Sequence, residues 1–405
     1  MKPNTCTFAA VLACLNAGIS VAADVRYSTW MARSIISRGQ GIMTGKGGSS
    51  EPLQAGFTQK AFVAIADKYP TDPLTPQIQD YIRQSAASVA PFMLNATHDA
   101  LAYPLDRLSN GNALLSLSNG PETNNTPTFS LAAAALRQSI DLNRRNAEGG
   151  FWYFSYPNWS YLDGMYSLAP FYALYTSGGS NCTEVRRALD EIQFQIDLLW
   201  YHTHNASSGL LVHGYDDSKT AVWADRNTGA SPYVWGRSLG WLIMALVDTV
   251  ELLPRSECKV RDDLLNKYND LAKAVLKAVD PVTGAWWQVM NEPGRAKNYI
   301  ESSEIISGSA MFSTALLKGA RLGYLKDASL AIEATLVGVR AHGYLTDTFV
   351  IHNEKGFLDY NGTVSVCSLN STASYDYYVG QPLLFNSVHG SAAYVLASLE
   401  VERVA

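Results

Sequence analysis

The residues best suited to chemistry in this sequence are four isolated polar groups, each set among apolar or aromatic neighbours. Asp106 lies in YPLDRL, Asp163 in YLDGMY, His213 in LLVHGYD and Arg237 in YVWGRSLGW. A carboxylate flanked by Tyr161 and Tyr166 gains proton affinity from desolvation, so Asp163 is expected to titrate above the usual value of about 4 and to serve as a general acid. Asp106 is the second carboxylate available to such a site. Arg237 offers a rigid fork of donors at the start of a helical segment, which suits a carboxylate on a ligand. Trp223, Trp235 and Trp241 surround it in sequence and present flat faces of the kind sugar rings stack against. Each residue also has a plainer reading. Asp106 and Asp163 fit helix caps, Arg237 fits a pair with Asp225, His213 fits a satisfied core group, and tryptophans commonly pack interiors.

Other chemistries find less support. His202 and His204 are two apart with no Cys or carboxylate at a familiar ligand spacing, so no metal is expected. Neither a phosphate-cradling Gly-rich loop with its Lys nor a G-x-S-x-G elbow occurs, and no cofactor is expected. The formal charge of −5, from 31 basic and 36 acidic side chains, argues against a nucleic-acid partner.

These residues must be carried by helices. After a leader at residues 1–23, with Lys2, an apolar run from Phe8 to Val21 and small residues before Asp24, the chain reads as a secretory signal followed by one domain, 24–405. No later run is long enough for a membrane span, so a secreted, extracellular protein is expected. Helical segments are predicted near 26–38, 57–68, 76–90, 106–117, 128–145, 165–176, 183–203, 238–253, 259–279, 304–322, 328–342 and 381–401. They alternate in character. Leu239 to Val247 is apolar all round, as a helix enclosed on every side should be. The following segment keeps one stripe, Leu264, Tyr268, Leu271 and Val275, with Asp262, Asp263, Lys267, Lys273 and Lys277 elsewhere.

Connections entering the enclosed helices are long, at 146–162, 204–236, 280–302 and 343–380, whereas those leaving them are short. Antiparallel helices of alternating burial imply an all-α fold, six hairpins closed into an (α/α)6 barrel with its long loops on one functional face. On the opposite face Cys182 and Cys258 fall at successive hairpin ends and are predicted to pair. Cys367 is expected to be a buried small hydrophobe. Asn-x-Ser/Thr triplets at Asn95, Asn124, Asn181, Asn205, Asn361 and Asn370 are candidate glycosylation sites. Asn158, close to Asp163, is expected to stay unmodified.

The runs GGFWYFSYP, YLDGMYSLAPFY, GLLVHGYD, VWGRSLGWLIMALVDTVELLP, SGSAMFSTALLKGARLGYL and GTVSVCSLNSTASYDYYVGQPL resemble, in order, glycoside hydrolase family 105, the unsaturated rhamnogalacturonyl hydrolases. The resemblance implies an (α/α)6 barrel that acts on the 4,5-unsaturated uronic acid a polysaccharide lyase leaves at a non-reducing end. Its double bond is hydrated, an acid protonating C4 and water adding at C5, and the hemiketal rearranges to release the next sugar. Carried over by residue, Asp163 is the general acid/base and Asp106 a second acid in the sugar site. His213, Arg237 and Trp241 are substrate contacts, with Arg237 toward the uronate, and Trp235 is a stacking wall. Tyr153 and Tyr161 are further candidate substrate contacts, and Tyr153, Phe154 and Trp159 stand where the family carries polar contacts, which leaves the sugar beyond the uronate open. An unsaturated glucuronyl substrate, an ordinary inverting glycosidase using Asp106 and Asp163, and a non-catalytic glycan binder are the alternatives. The expected partner is an oligosaccharide bound by a monomer.

Overall fold

The computed structural model describes residues 26–120, 125–177, 182–253, 258–297 and 307–405. The expected leader at 1–23 and the candidate sites Asn124 and Asn181 lie outside them. Helices α1 (Tyr27–Ser37), α2 (Glu51–Lys68), α3 (Thr75–Val89), α4 (Ala96–Ala102), α5 (Gly111–Ser118), α6 (Thr126–Asp141), α7 (Gly164–Ser177) and α8 (Cys182–Thr203) are followed by α9 (Gly236–Leu252), α10 (Cys258–Lys277), α11 (Ser307–Arg321), α12 (Ala328–Phe349), α13 (Tyr375–Val379) and α14 (Val388–Val404). A 3-10 turn, Leu105–Asn110, leads into α5.

Packing follows the apolar pattern. Helix α9 is buried from Gly236 to Val250, and it lies between α7 and α11. Continuing round, α11 packs on α14, α14 on α2, α2 on the Leu105–Asn110 turn, and that turn on α7, which closes the inner ring. Helices α1, α3, α6, α8, α10 and α12 clothe it outside. On α10 the buried residues Val260, Leu264, Tyr268, Leu271 and Val275 form the single stripe an outer helix needs, since positions three and four apart share a face. The architecture is the expected (α/α)6 barrel.

Helix ends differ from expectation where local chemistry intervenes. Helix α2 starts at Glu51 because Pro52 supplies the fixed φ of a first turn. Helix α12 runs on to Phe349, continuing the buried series Ala341, Leu345 and Phe349 past Gly343. Helix α14 starts only at Val388, because the segment before it pairs in extended form, Leu383 bridging Val364. The short helices α4 and α13 had no periodic signal.

The inner helices are tied by buried charge at the end away from the long loops. Asp248 of α9 accepts from Lys60 of α2 and from Lys318 of α11 at 2.6 Å. Burial pushes the Asp248 carboxyl up, but the two ammonium groups outweigh it and hold it below its ordinary value. Asp248→Ala removes the ion-pair partner of Lys60 and leaves Lys318 with Glu251 alone; it is expected to cost about 3–5 kcal/mol of stability, read as an earlier urea midpoint with an unchanged slope.

The predicted Cys182–Cys258 bridge is not formed. Cys182 is a free, exposed thiol, and the Cys258 side chain lies outside the described residues. The two cysteines open neighbouring outer helices, α8 and α10.

Candidate active site

The long loops and the N-terminal ends of the inner helices enclose a cavity of about 160 Å³. Asp106, Asp163, Tyr153, Tyr161, Arg237 and Trp241 all line it, as do Cys367, Ser368 and His389. Its floor is aromatic, with Trp241 packed on Phe57 and Tyr166 at ring distances of 4.8 and 4.5 Å. Inner helices directed this way turn the positive ends of their dipoles toward the cavity, which favours an anionic ligand.

Asp106 is set by the 3-10 turn. The adjacent Arg107 is fully buried and clamps that turn by donating to the Tyr103, Pro104 and Ser139 carbonyls and to Asn143. Leu105 N–H donates to Tyr153 O at 2.9 Å, joining the turn to the aromatic loop. The Asp106 side chain is therefore held against Tyr153, whose hydroxyl donates to Oδ2 at 2.5 Å. Its Oδ1 is buried with no hydrogen-bond partner among the described residues. Burial pushes this carboxyl up to about 7, with the Asp163 charge adding and the Tyr153 hydroxyl and Arg107 opposing. Below that pH Asp106 is a carboxylic acid, and Oδ1 is the oxygen left free to carry its proton.

Asp163 is brought to the cavity by a two-stranded ribbon. Strand β1 (Trp159–Tyr161) pairs antiparallel with β2 (Gly214–Asp216), Tyr161 opposite Gly214, and Leu162 N–H donates to His213 O. Positions fifty residues apart thus become neighbours. A Cβ on Gly214 would fall 2.3 Å from Ser160 O, so the ribbon closes only with glycine there. Ser238 Oγ donates to Asp163 Oδ2, and His213 Nε2 faces the same oxygen across 3.4 Å.

The protonation of Asp163 is the reverse of the sequence expectation. Burial pushes its carboxyl up, but the His213 imidazole and the Ser238 hydroxyl outweigh burial and hold it below the ordinary value. Neighbours fixed by the tertiary fold, not the flanking tyrosines, decide the sign.

His213 itself does not line the cavity. It is 0% exposed, sits behind Asp163, and its Nδ1 is 2.8 Å from the Tyr378 hydroxyl. Trp235 likewise is no sugar wall in this structure, being 2% exposed and stacked on Tyr378 at 5.0 Å. Trp223 belongs to the same small core, packed edge-on against Trp159. Arg237 does reach the cavity, but its fork donates to the Val364 and Ser365 carbonyls at 2.7 and 2.6 Å. Asp225 is elsewhere, accepting from the Asn227 and Thr228 amides. Tyr153 and Tyr161 stack face to face at 4.3 Å, and the Tyr161 hydroxyl meets Ser368 Oγ at 3.2 Å.

Ser238, Ser368, Cys367 and His389 were missed from sequence. Ser238 follows Arg237 directly, and its place one residue into the same helix end was the available signal. Cys367 is buried as expected, yet at the cavity wall, where burial pushes its thiol up to about 12. His389 opens α14, and burial pushes its imidazole down to about 3, so it stays neutral. Of the described candidate glycosylation sites, Asn95, Asn205 and Asn370 are exposed and Asn361 is half-buried. No cluster of three or more metal-ligating side chains occurs among the described residues.

The profile of glycosyl hydrolase family 88 matches residues 52–405, which include Asp106, Asp163 and Arg237 of the cavity. A family 105 glycoside hydrolase from C. acetobutylicum ATCC 824 superimposes with a TM-score of 0.79 at 31% identity, covering 94% of this chain and 100% of that one. The unsaturated glucuronyl hydrolase of Bacillus sp. GL1, described as responsible for glycosaminoglycan degradation, shares the fold with a TM-score of 0.62 at 15% identity, over 93% of this chain and 95% of that one. The 24.9 kDa protein in the picA locus of Rhizobium radiobacter is 35% identical over 202 residues, 48% of this chain and 82% of that one. By the extent of the profile match and the level of identity to the clostridial enzyme, the chain belongs to the glycosyl hydrolase family 88/105 group.

Proposed function

We propose that this protein hydrates the C4=C5 double bond of a 4,5-unsaturated uronic acid at the non-reducing end of lyase-generated oligosaccharides, of the galacturonyl-rhamnose type, and so releases that uronate, its double bond consumed, from the next sugar. The observation that carries this reading is a pair of carboxyl groups in one cavity with opposite protonation, Asp106 acidic and Asp163 ionised, beside Arg237. Environments that drive two pKa values apart assign an acid and a base.

In the reaction, the proton on Asp106 passes to C4. Asp163 takes a proton from the water whose oxygen bonds to C5, and the pair then re-equilibrates with solvent. The C5 hemiketal opens to a ketone, and the hemiacetal left at C1 expels the next sugar as an alcohol. One water is consumed and no attack at the anomeric carbon is needed, unlike a glycosidase that works by direct displacement with two carboxylates. The family resemblance gives both transfers to Asp163. The free protein supports dividing them, because the stored proton is on its neighbour. Inner-helix N-termini and Arg237 supply the positive field for the uronate.

The alternatives separate by substrate. Galacturonyl-rhamnose, unsaturated glucuronyl and saturated oligosaccharides would be assayed for loss of the ultraviolet absorbance of the conjugated double bond, together with release of reducing sugar. Loss of absorbance on the galacturonyl-rhamnose substrate supports the reading. Turnover of the glucuronyl substrates alone would move the specificity, and cleavage of saturated chains would favour an ordinary glycosidase. The expected leader with its downstream Asn-x-Ser/Thr sites supports secretion as part of the same proposal.

A further inference from the structure

Behind Asp163 lies a chain of contacts among residues that do not line the cavity. Tyr378, on α13, is fully buried, stacked on Trp235 at 5.0 Å and 25°, with its carbonyl held by Gln288 Nε2 at 2.7 Å. Its hydroxyl lies 2.8 Å from His213 Nδ1, and His213 Nε2 makes no hydrogen bond to another described residue while facing Asp163 Oδ2. Two of these residues, Trp235 and His213, were expected to touch sugar. Their positions give them other work.

We propose that Tyr378 is a positioning residue for the hydration: seated by Trp235 and Gln288, its phenol donates to His213 Nδ1, keeps the ring proton on Nε2, and aims that N–H at Asp163. The tautomer of a histidine is set by the partner of its other nitrogen. A carboxylate facing Nε2 requires a donor there, so Nδ1 carries the lone pair and accepts from the phenol. Burial raises the Tyr378 hydroxyl well above its ordinary value, so the phenol keeps its proton. The same loop, 361–387, also provides the Val364 and Ser365 carbonyls that hold Arg237. One segment with little regular structure therefore orients both the base and the cation.

The inference rests on the hydrating role proposed for Asp163, so its test has an arm that does not need activity. In the full-length protein with 15N-labelled histidine, the resonances of His213, assigned by comparison with His213→Asn, should report a protonated Nε2 and an accepting Nδ1. A protonated Nδ1 with a bare Nε2 would overturn the proposal whatever the enzyme turns over. In the second arm Tyr378→Phe keeps the ring stack and removes only the hydroxyl. It is expected to lower kcat about tenfold to a hundredfold with KM changed less than about twofold. The acid limb of its pH profile should move up by about one unit, because Asp163 loses an aimed donor.

The other groups around Asp163 are unchanged in this variant: Asp106, Tyr153, Tyr161, Cys367, His389 and Arg237. The basic limb, set by Asp106, should accordingly stay in place. Wild-type kcat and an unmoved acid limb in a variant with wild-type thermal unfolding would also overturn the proposal. If wild-type protein turned over no unsaturated uronide, the functional reading would fail while the tautomer measurement still decided the role of Tyr378.

Discussion

Asp163→Asn is expected to lower kcat/KM on an unsaturated uronide by about a thousandfold or more, with KM changed little. The amide keeps the shape of the carboxylate and can still accept from Ser238, so folding and substrate binding should survive. What it loses is basicity. Asp163 is the ionised member of the pair, held so by His213 and Ser238, and an amide cannot take a proton from water. Kinetics should therefore show the loss in kcat, the signature of an interaction made only in the transition state. A variant with near-wild-type kcat would remove Asp163 from the chemistry.

Asp106→Asn is expected to be comparably damaging, and the pH profile of the wild-type enzyme should reveal why. Asp106 is active as its protonated form, which is present below about 7 and lost as pH rises through that value. Asp163 is active as its carboxylate, present above its depressed pKa and lost only as pH falls through it. The profile of kcat/KM should thus be a bell with its basic limb near 7 and its acid limb below the ordinary carboxylate range. If Asp163 were the sole acid, activity would already be gone at mildly acidic pH. In Asp106→Asn the basic limb near 7 should vanish from any residual activity. Its persistence would show that another group carries the proton.

Much of this arrangement was legible in the sequence because it depends on local pattern. The all-round apolar run Leu239–Val247 against the single stripe of Leu264, Tyr268 and Leu271 distinguishes inner from outer helices, and the asymmetry of loop lengths identifies the functional face. Asp106, Asp163 and Arg237 follow from being polar residues at that face. What escaped was set by contacts between distant positions. The sign of the Asp163 shift depends on Ser238 and His213, which reach it through the β1–β2 ribbon and the start of α9. Tyr378 and Cys367 belong to a loop with no apolar period, so neither helix nor strand reasoning singled them out. Trp235 and His213 were named correctly as residues near the site but were given the sugar-facing side, because sequence does not say which side of a carboxylate a neighbour occupies. The Cys182–Cys258 pairing took adjacency of hairpins for contact, whereas Cys182 is a free, exposed thiol.

The central claim is hydration of a conjugated double bond by a carboxylate pair. It is tested most directly by mixing purified wild-type protein with a lyase-generated galacturonyl-rhamnose oligosaccharide and following the ultraviolet absorbance of the unsaturated uronide. The account predicts that the absorbance disappears as one reducing end is freed per double bond lost, and that Asp163→Asn leaves it unchanged on the same timescale. Release of sugar with the double bond intact would contradict it.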